Sequence, residues 1–186
     1  TMKCKIPADR VAELAVRIND VVSAARKAGV LIVHAPSGNV DFYKGTPARQ
    51  RCVDAPKVDT PVPLKWNYLN EEREAPLPID DSDGGWEGPV AEGERPQTRQ
   101  HPAIEIADRD AVGEGPEVYY LLEQEGIENV ILTGVHTNMC VLGRPFGIRQ
   151  LTYLGKNVLL MRDCTDSLYN PAMPPKVSHY RGTGLV

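Results

Sequence analysis

A chain of 186 residues with 41% apolar content is the size of one domain and has enough apolar surface for a single core, which argues against disorder. A net charge of -4 and a pI near 5.6 provide no broad basic surface for nucleic acid or anionic lipid, so the expected partner is a small molecule. Four cysteines, Cys4, Cys52, Cys140 and Cys164, form no C-x-x-C pair and no dense disulfide framework, and no run reaches the roughly 20 apolar residues of a membrane span; the expectation is reduced thiols in a cytoplasmic protein.

From Pro7 to Gly29, Val11, Leu14, Ile18, Val21, Val22 and Ala25 recur at steps of three and four. This spacing predicts one amphipathic helix, stopped by Gly29. The following "VLIVHA", residues 30–35, is short, β-branched and without polar alternation, and predicts a strand buried on both faces, as in a parallel sheet. The unit recurs downstream: helix in "GPEVYYLLEQEGI", strand in "NVILTG", helix in "MCVLGRPFGIRQLTYLG", strand in "NVLLMRD". Pro145 lies inside the third of these helices and should kink or delay it. Alternating helices and apolar strands predict a three-layer αβα, doubly wound, mostly parallel sheet of Rossmann-like type.

In a doubly wound sheet the first strand is normally central, whereas here a helix comes first. The expectation is a missing first strand upstream of Thr1, and a further helix beyond "SHYRGTGLV". The whole chain is expected to be one domain, with a long irregular insertion at about 36–97. Within it Thr46-Pro47 has the form of a helix cap followed by proline at the first helical position. Loops this long commonly act as lids or partner-contacting arms. Trp66 and Trp86 in this arm suit either a pocket cap or an oligomer contact, and a homo-oligomer is expected.

Ligands of open α/β sheets sit outside the carboxyl ends of the strands. "GVHTNMC" falls there after the strand at 129–133, and Cys140 comes at the start of the predicted helix. Backbone N–H groups and the helix dipole at such a place favour a thiolate and can face a developing oxyanion. On position alone, a buried thiol acting as a small hydrophobe is an equal alternative. A phosphatase cradle would need H-C-x5-R, but Arg144 comes too early and residue 146 is Phe. A redox pair would need Cys164 as the resolving thiol, the one plausible candidate. "DDSDGG" lacks the later ligands of a calcium loop and is expected to be an acidic turn, and His101 and His179 are expected to be structural or surface residues.

"ILTGVHTNMCV" resembles the G-V-x-T-x-x-C-V signature of the isochorismatase-like cysteine hydrolases, the superfamily of nicotinamidases and related amidases, with Gly134, Val135, Thr137, Cys140 and Val141 in register. "VLLMRDCTDS" is similar to the family's next strand, with Asp163 and Ser167 in place and Cys164 where a small residue is usual. The resemblance implies a cysteine nucleophile, Cys140, that cleaves an amide or carbamoyl C–N bond through a thioester later hydrolysed by water. It implies a cis peptide between Val135 and His136, with the His136 and Cys140 backbone amides as the oxyanion hole. Thr137 and Asn138 in the Cys140 turn are expected to contact the substrate, and His34, at the end of the strand predicted at 30–35, is expected either to line the pocket with them or to be a satisfied loop histidine.

The family also implies an aspartate on the first strand, upstream of Thr1, and a lysine before the helix at 116–126. No lysine occurs between Trp66 and Gly155, and Arg99 in "TRQHPAI" lies at about that place; as the lysine's replacement it would position charge, since arginine does not give up its proton near neutrality, the alternative being a surface or salt-bridging residue. Proton transfer would then fall to the aspartate. The metal site of classical nicotinamidases is not expected, because "VHAPSGNVDFYKGTP" supplies only His34 and Asp41; no cofactor is expected. The competing reading is a non-catalytic pseudoenzyme that keeps the fold as a binding or scaffold protein.

Overall fold

The computed structural model describes residues 3–93 and 97–186. The first helix, α1, spans Lys5–Lys27 and buries Leu14, Ala15 and Ile18 on the predicted apolar face. It stops as expected at Gly29, which adopts φ +84° and lets Val30 N–H return to the Ala25 carbonyl at 3.0 Å. Strand β1 is only Val33–His34, shorter than the predicted 30–35. It pairs in parallel with β2, Ala111–Val112. Between them, Thr46 caps α2, Pro47–Val53, by accepting a hydrogen bond from Arg49 N–H, with Pro47 at the helix start as its sequence predicts.

Helix α3, Glu117–Gln124, leads into β3, Asn129–Val135. Strand β4, Asn157–Asp166, lies parallel to β3 in a register that runs from Asn129 opposite Asn157 to Leu132 opposite Leu160. It then shifts, so that Gly134 faces Thr165 and Val135 faces Asp166. The extra residues of β4 form a bulge, with Thr165 Oγ1 donating to the Met161 carbonyl at 2.8 Å. This bulge carries β4 beyond its predicted end at Asp163 and sets Asp166 beside the start of the Cys140 turn.

The β3–β4 pair has helices on both faces, giving an α/β arrangement. Leu14 and Ile18 of α1 pack with Cys164, Val135 and Met161. On the other face Tyr119 and Leu122 of α3 pack with Val130, Val158 and Leu151. Among the described residues the strands form two separate two-stranded parallel sheets. Burial on both faces, the expectation for the strand at 30–35, does not extend to all of β3 and β4: Ile131 and Leu159, paired across them, are 55% and 54% exposed. A strand with one open edge and a partly uncovered face leaves such side chains in water.

The helix predicted over 139–155 is divided. Thr137–Val141 form a single π-helical turn, and α4 starts only at Ile148 and ends at Tyr153. Pro145 cannot donate to a continuing ladder, and Gly147 brings the chain back so tightly that a Cβ there would sit 2.8 Å from the Val141 and Leu142 carbonyl oxygens. At the other end of the chain "HYRGTGL" forms α5, His179–Leu185, where no helix is predicted. Two glycines make its intrinsic propensity poor, but Ser178 caps it through Arg181 N–H. Gly182 then packs so close to Tyr169 that a Cβ would lie 3.2 Å from its ring. Packing overrides propensity here.

The arm is irregular beyond α2 but laced to the body. Asn67 N–H donates to the Gly143 carbonyl at 2.7 Å, Asp80 N–H to Pro174 at 2.9 Å and Ala91 N–H to Lys3 at 2.7 Å. No helix of the described residues is long and apolar enough to cross a membrane.

Candidate functional site

The carboxyl ends of β1, β2 and β3 each deliver one part of the site. After β3, Gly134 takes φ +103° and the Val135–His136 peptide is cis, the isomer that the sequence motif implies. His136 then caps the π turn, and Cys140 is its fourth residue. The turn is too short to be the helix start that the sequence suggests, so any dipole effect at Cys140 is that of one turn. Cys140 is half-buried, whereas Cys4, Cys52 and Cys164 are buried, and all four thiols are free.

Among the described residues the side chain of Cys140 meets Ser37, from the turn after β1, with Oγ 3.9 Å from Sγ. Ser37 Oγ accepts a short hydrogen bond from Arg144 Nη1. Arg144 is buried, donates from Nη2 to the Glu114 carbonyl at 2.6 Å, and lies 5.0 Å over the Phe146 ring. Glu114, in the loop after β2, closes the group by accepting Gly38 N–H at 2.5 Å on its carboxylate. Sequence reasoning weighed Arg144 only as a phosphatase arginine and missed Ser37 and Glu114. The four-residue spacing from Cys140 to Arg144 was the available signal, since Arg144 N–H returns to the Cys140 carbonyl at 3.2 Å and folds both residues into one turn.

The remaining expected site residues are spread around this centre. His34 is buried in a polar network, its Nε2 3.1 Å from Asp110 Oδ2 and its Nδ1 beside the Gln100 amide. Burial pulls its pKa below the ordinary value, against the opposing pull of Asp110. Asn138 ties the Cys140 turn to the chain after β4: it donates to the Leu168 carbonyl at 2.9 Å and to Asp81 at 2.8 Å, and accepts Leu168 N–H at 2.9 Å. The Thr137 hydroxyl is buried and has no hydrogen-bond partner among the described residues.

Arg99 is exposed, with its guanidinium 5.3 Å from the Phe42 ring centre. Among the described residues no hydrogen bond links it to Cys140. The His136 side chain is buried, with no hydrogen-bond partner for Nδ1 among the described residues. Desolvation, helped by the nearby positive charge of Arg10, brings its pKa down to about 4, so the imidazole is neutral at ordinary pH. Its backbone amide, and that of Cys140, flank the turn.

His179 pairs with Glu87 at 2.9 Å and packs edge-on against Tyr169, and His101 accepts Ala103 N–H in its own loop. Cys164 lies in the apolar cluster under α1, and burial raises its pKa. In "DDSDGG" the carboxylates of Asp80 and Asp83 accept the backbone N–H groups of Ser82 and Gly85, the local pattern of an Asx turn. Among the described residues no group of three or more His, Cys, Asp or Glu side chains is arranged to hold a metal ion.

No curated protein and no solved structure matches the chain. The family model described as the isochorismatase domain matches residues 8–172, a span that includes α1 from its fourth residue on, both parallel strand pairs, the Cys140 turn and the residues that surround it. A match over most of the chain, on a structure that carries the motif at the end of β3, shows that this chain belongs to the isochorismatase domain family, whose members are generally hydrolases.

Proposed function

We propose that the protein is a cysteine-dependent hydrolase that cleaves an amide or carbamoyl C–N bond of a small molecule. The observation that carries this reading is the placement of Cys140, the one half-buried thiol of four, in the G-V-x-T-x-x-C-V turn at the carboxyl end of a parallel strand. The Cys140 thiolate attacks the carbonyl carbon, and the carbonyl oxygen becomes an oxyanion held by the His136 and Cys140 amides. The C–N bond then breaks, the nitrogen leaves as an amine or ammonia carrying the proton that the Cys140 thiol gave up on ionising, and a thioester remains. Water adds to that thioester, releasing the acid and restoring the thiol.

In this reading Arg99 contributes positive charge at the rim, while His34, Thr137 and Asn138 shape the substrate side. Four free cysteines favour a cytoplasmic protein. Exposed Trp66, Tyr68, Ile131 and Leu159 favour assembly into a homo-oligomer.

The test is hydrolysis of a panel of small amides and carbamoyl compounds, with Cys140→Ala as the control. Activity in wild type that disappears in the variant supports the proposal, and undiminished turnover in Cys140→Ala would sink it. One observation favours a second reading, a non-catalytic binding protein: Arg99, which stands where the family carries lysine, is exposed and turned to Phe42. Amide hydrolysis absent from wild type but gained by Arg99→Lys would select that reading.

A further inference from the structure

Arg144 is buried and pairs with Glu114, whose Oε2 lies 3.8 Å from Nη2. A buried guanidinium must be met by hydrogen bonds as well as by a counter-ion, and the contacts that supply those hydrogen bonds fix its orientation. Those contacts are the Glu114 carbonyl and the Ser37 hydroxyl. Arginine has five N–H donors and no acceptor. Ser37 Oγ must therefore be the acceptor in its contact with Arg144, and its own proton is free to point elsewhere. The one other hydrogen-bond partner of that oxygen among the described residues is Cys140 Sγ, at 3.9 Å.

We propose that Ser37 is a positioning residue for Cys140: Arg144 orients the Ser37 hydroxyl so that its O–H is directed at Sγ and favours the thiolate over the thiol. This rests on the reading of Cys140 as the nucleophile. The Ser37 proton stays on Ser37 throughout, and the arginine acts only through the serine. Glu114 completes the device by holding Gly38 N–H and Arg144 Nη2 from the loop after β2. The ends of three strands thereby fix one hydroxyl. A hydrogen bond given to the thiolate favours it over the thiol, so removing the Ser37 hydroxyl should carry the alkylation profile of Cys140 to higher pH.

The experiment is the rate of iodoacetamide alkylation of Cys140 in the intact protein between pH 5 and pH 10, read by peptide mass, for wild type, Ser37→Ala, Ser37→Thr and Arg144→Gln. Ser37 is exposed, so its replacement leaves the core untouched. Ser37→Ala should move the midpoint of the profile upward by about 0.5 to 1 unit, Ser37→Thr should return it toward wild type, and a folded Arg144→Gln should move it in the same direction as Ser37→Ala. A Ser37→Ala profile that superimposes on wild type, or one that Ser37→Thr fails to rescue, overturns the inference. The outcome is separable from hydrolysis itself. A shifted midpoint in a protein with no amidase activity supports the device and rejects the proposed reaction, whereas an active wild type with an unshifted Ser37→Ala rejects the device alone.

Discussion

Arg26 and Asp110 form a two-point ion pair in which Nε reaches Oδ1 at 2.9 Å and Nη2 reaches Oδ2 at 2.7 Å, with the two side chains 9% and 1% exposed. The pair joins the end of α1 to the loop that enters β2, and Asp110 also takes Ala107 N–H at 2.8 Å and faces His34. Burial alone would push the Asp110 carboxyl up, but the hydrogen bonds from Arg26, Ala107 and His34 outweigh it and hold the pKa below the usual carboxylate range. Asp110→Ala leaves a buried guanidinium without its partner and should cost about 3–5 kcal/mol. Urea unfolding at neutral pH measures it, and a loss below about 1 kcal/mol would show that the network is not a structural anchor.

His136 makes the fold sensitive to mild acid. Its pKa is near 4 in the folded chain against an ordinary 6.5. Above 6.5 the imidazole is neutral in both states and the fold keeps its full stability. Between 6.5 and 4 the unfolded chain binds a proton that the folded one rejects, so stability falls as pH falls, by up to about 3 kcal/mol. His136→Asn should flatten this part of the curve. Urea midpoints from pH 7 to pH 4 with the same slope in variant and wild type would assign the acid sensitivity to other groups.

Gly143 lies directly beneath the arm. A Cβ at this position would come within 2.7 Å of the Trp66 ring and 3.0 Å of the Asn67 carbonyl, so Gly143→Ala must lift residues 66–67 from the Cys140 turn. The expected cost is about 1–3 kcal/mol, as for other overpacked contacts. It should come with a red shift of tryptophan emission as the already 37% exposed Trp66 gains water. An unshifted spectrum with unchanged stability would place the arm's anchoring elsewhere.

Cys52 provides an internal measure of unfolding. It is fully buried at the base of α2, and desolvation, reinforced by the charge of Glu117, raises its thiol to about 11. In the native protein it should resist iodoacetamide at pH 8 while Cys140 reacts. Its labelling should accelerate in step with global unfolding as urea is added. Labelling of Cys52 at the native rate of Cys140 would mean that α2 opens on its own.

The local features of the fold were legible where one physical rule acts within a few residues. The apolar spacing of Leu14 and Ile18, the stop at Gly29, and the Thr46-Pro47 cap all depend on neighbours close in the chain, and each appears where the sequence places it. The motif around Cys140 was legible for the same reason. Apolar periodicity after Cys140 predicts one helix running through Pro145, whereas the steric return at Gly147 outweighs periodicity in the molecule. Helix α5 was missed because its stability comes from Tyr169 and β4, which no local propensity reports.

The sequence by itself therefore determined the family, the nucleophile candidate and the type of most elements, because covalent neighbours set turns, caps and periodicity. Tertiary structure alone decided what surrounds Cys140. Ser37, Glu114 and Arg144 meet because the carboxyl ends of β1, β2 and β3 converge, and no spacing along the chain encodes the distance between a hydroxyl at residue 37 and a sulfur at residue 140. The placement of Arg99 over Phe42 was decided in the same way, by loops whose paths depend on packing across the whole domain.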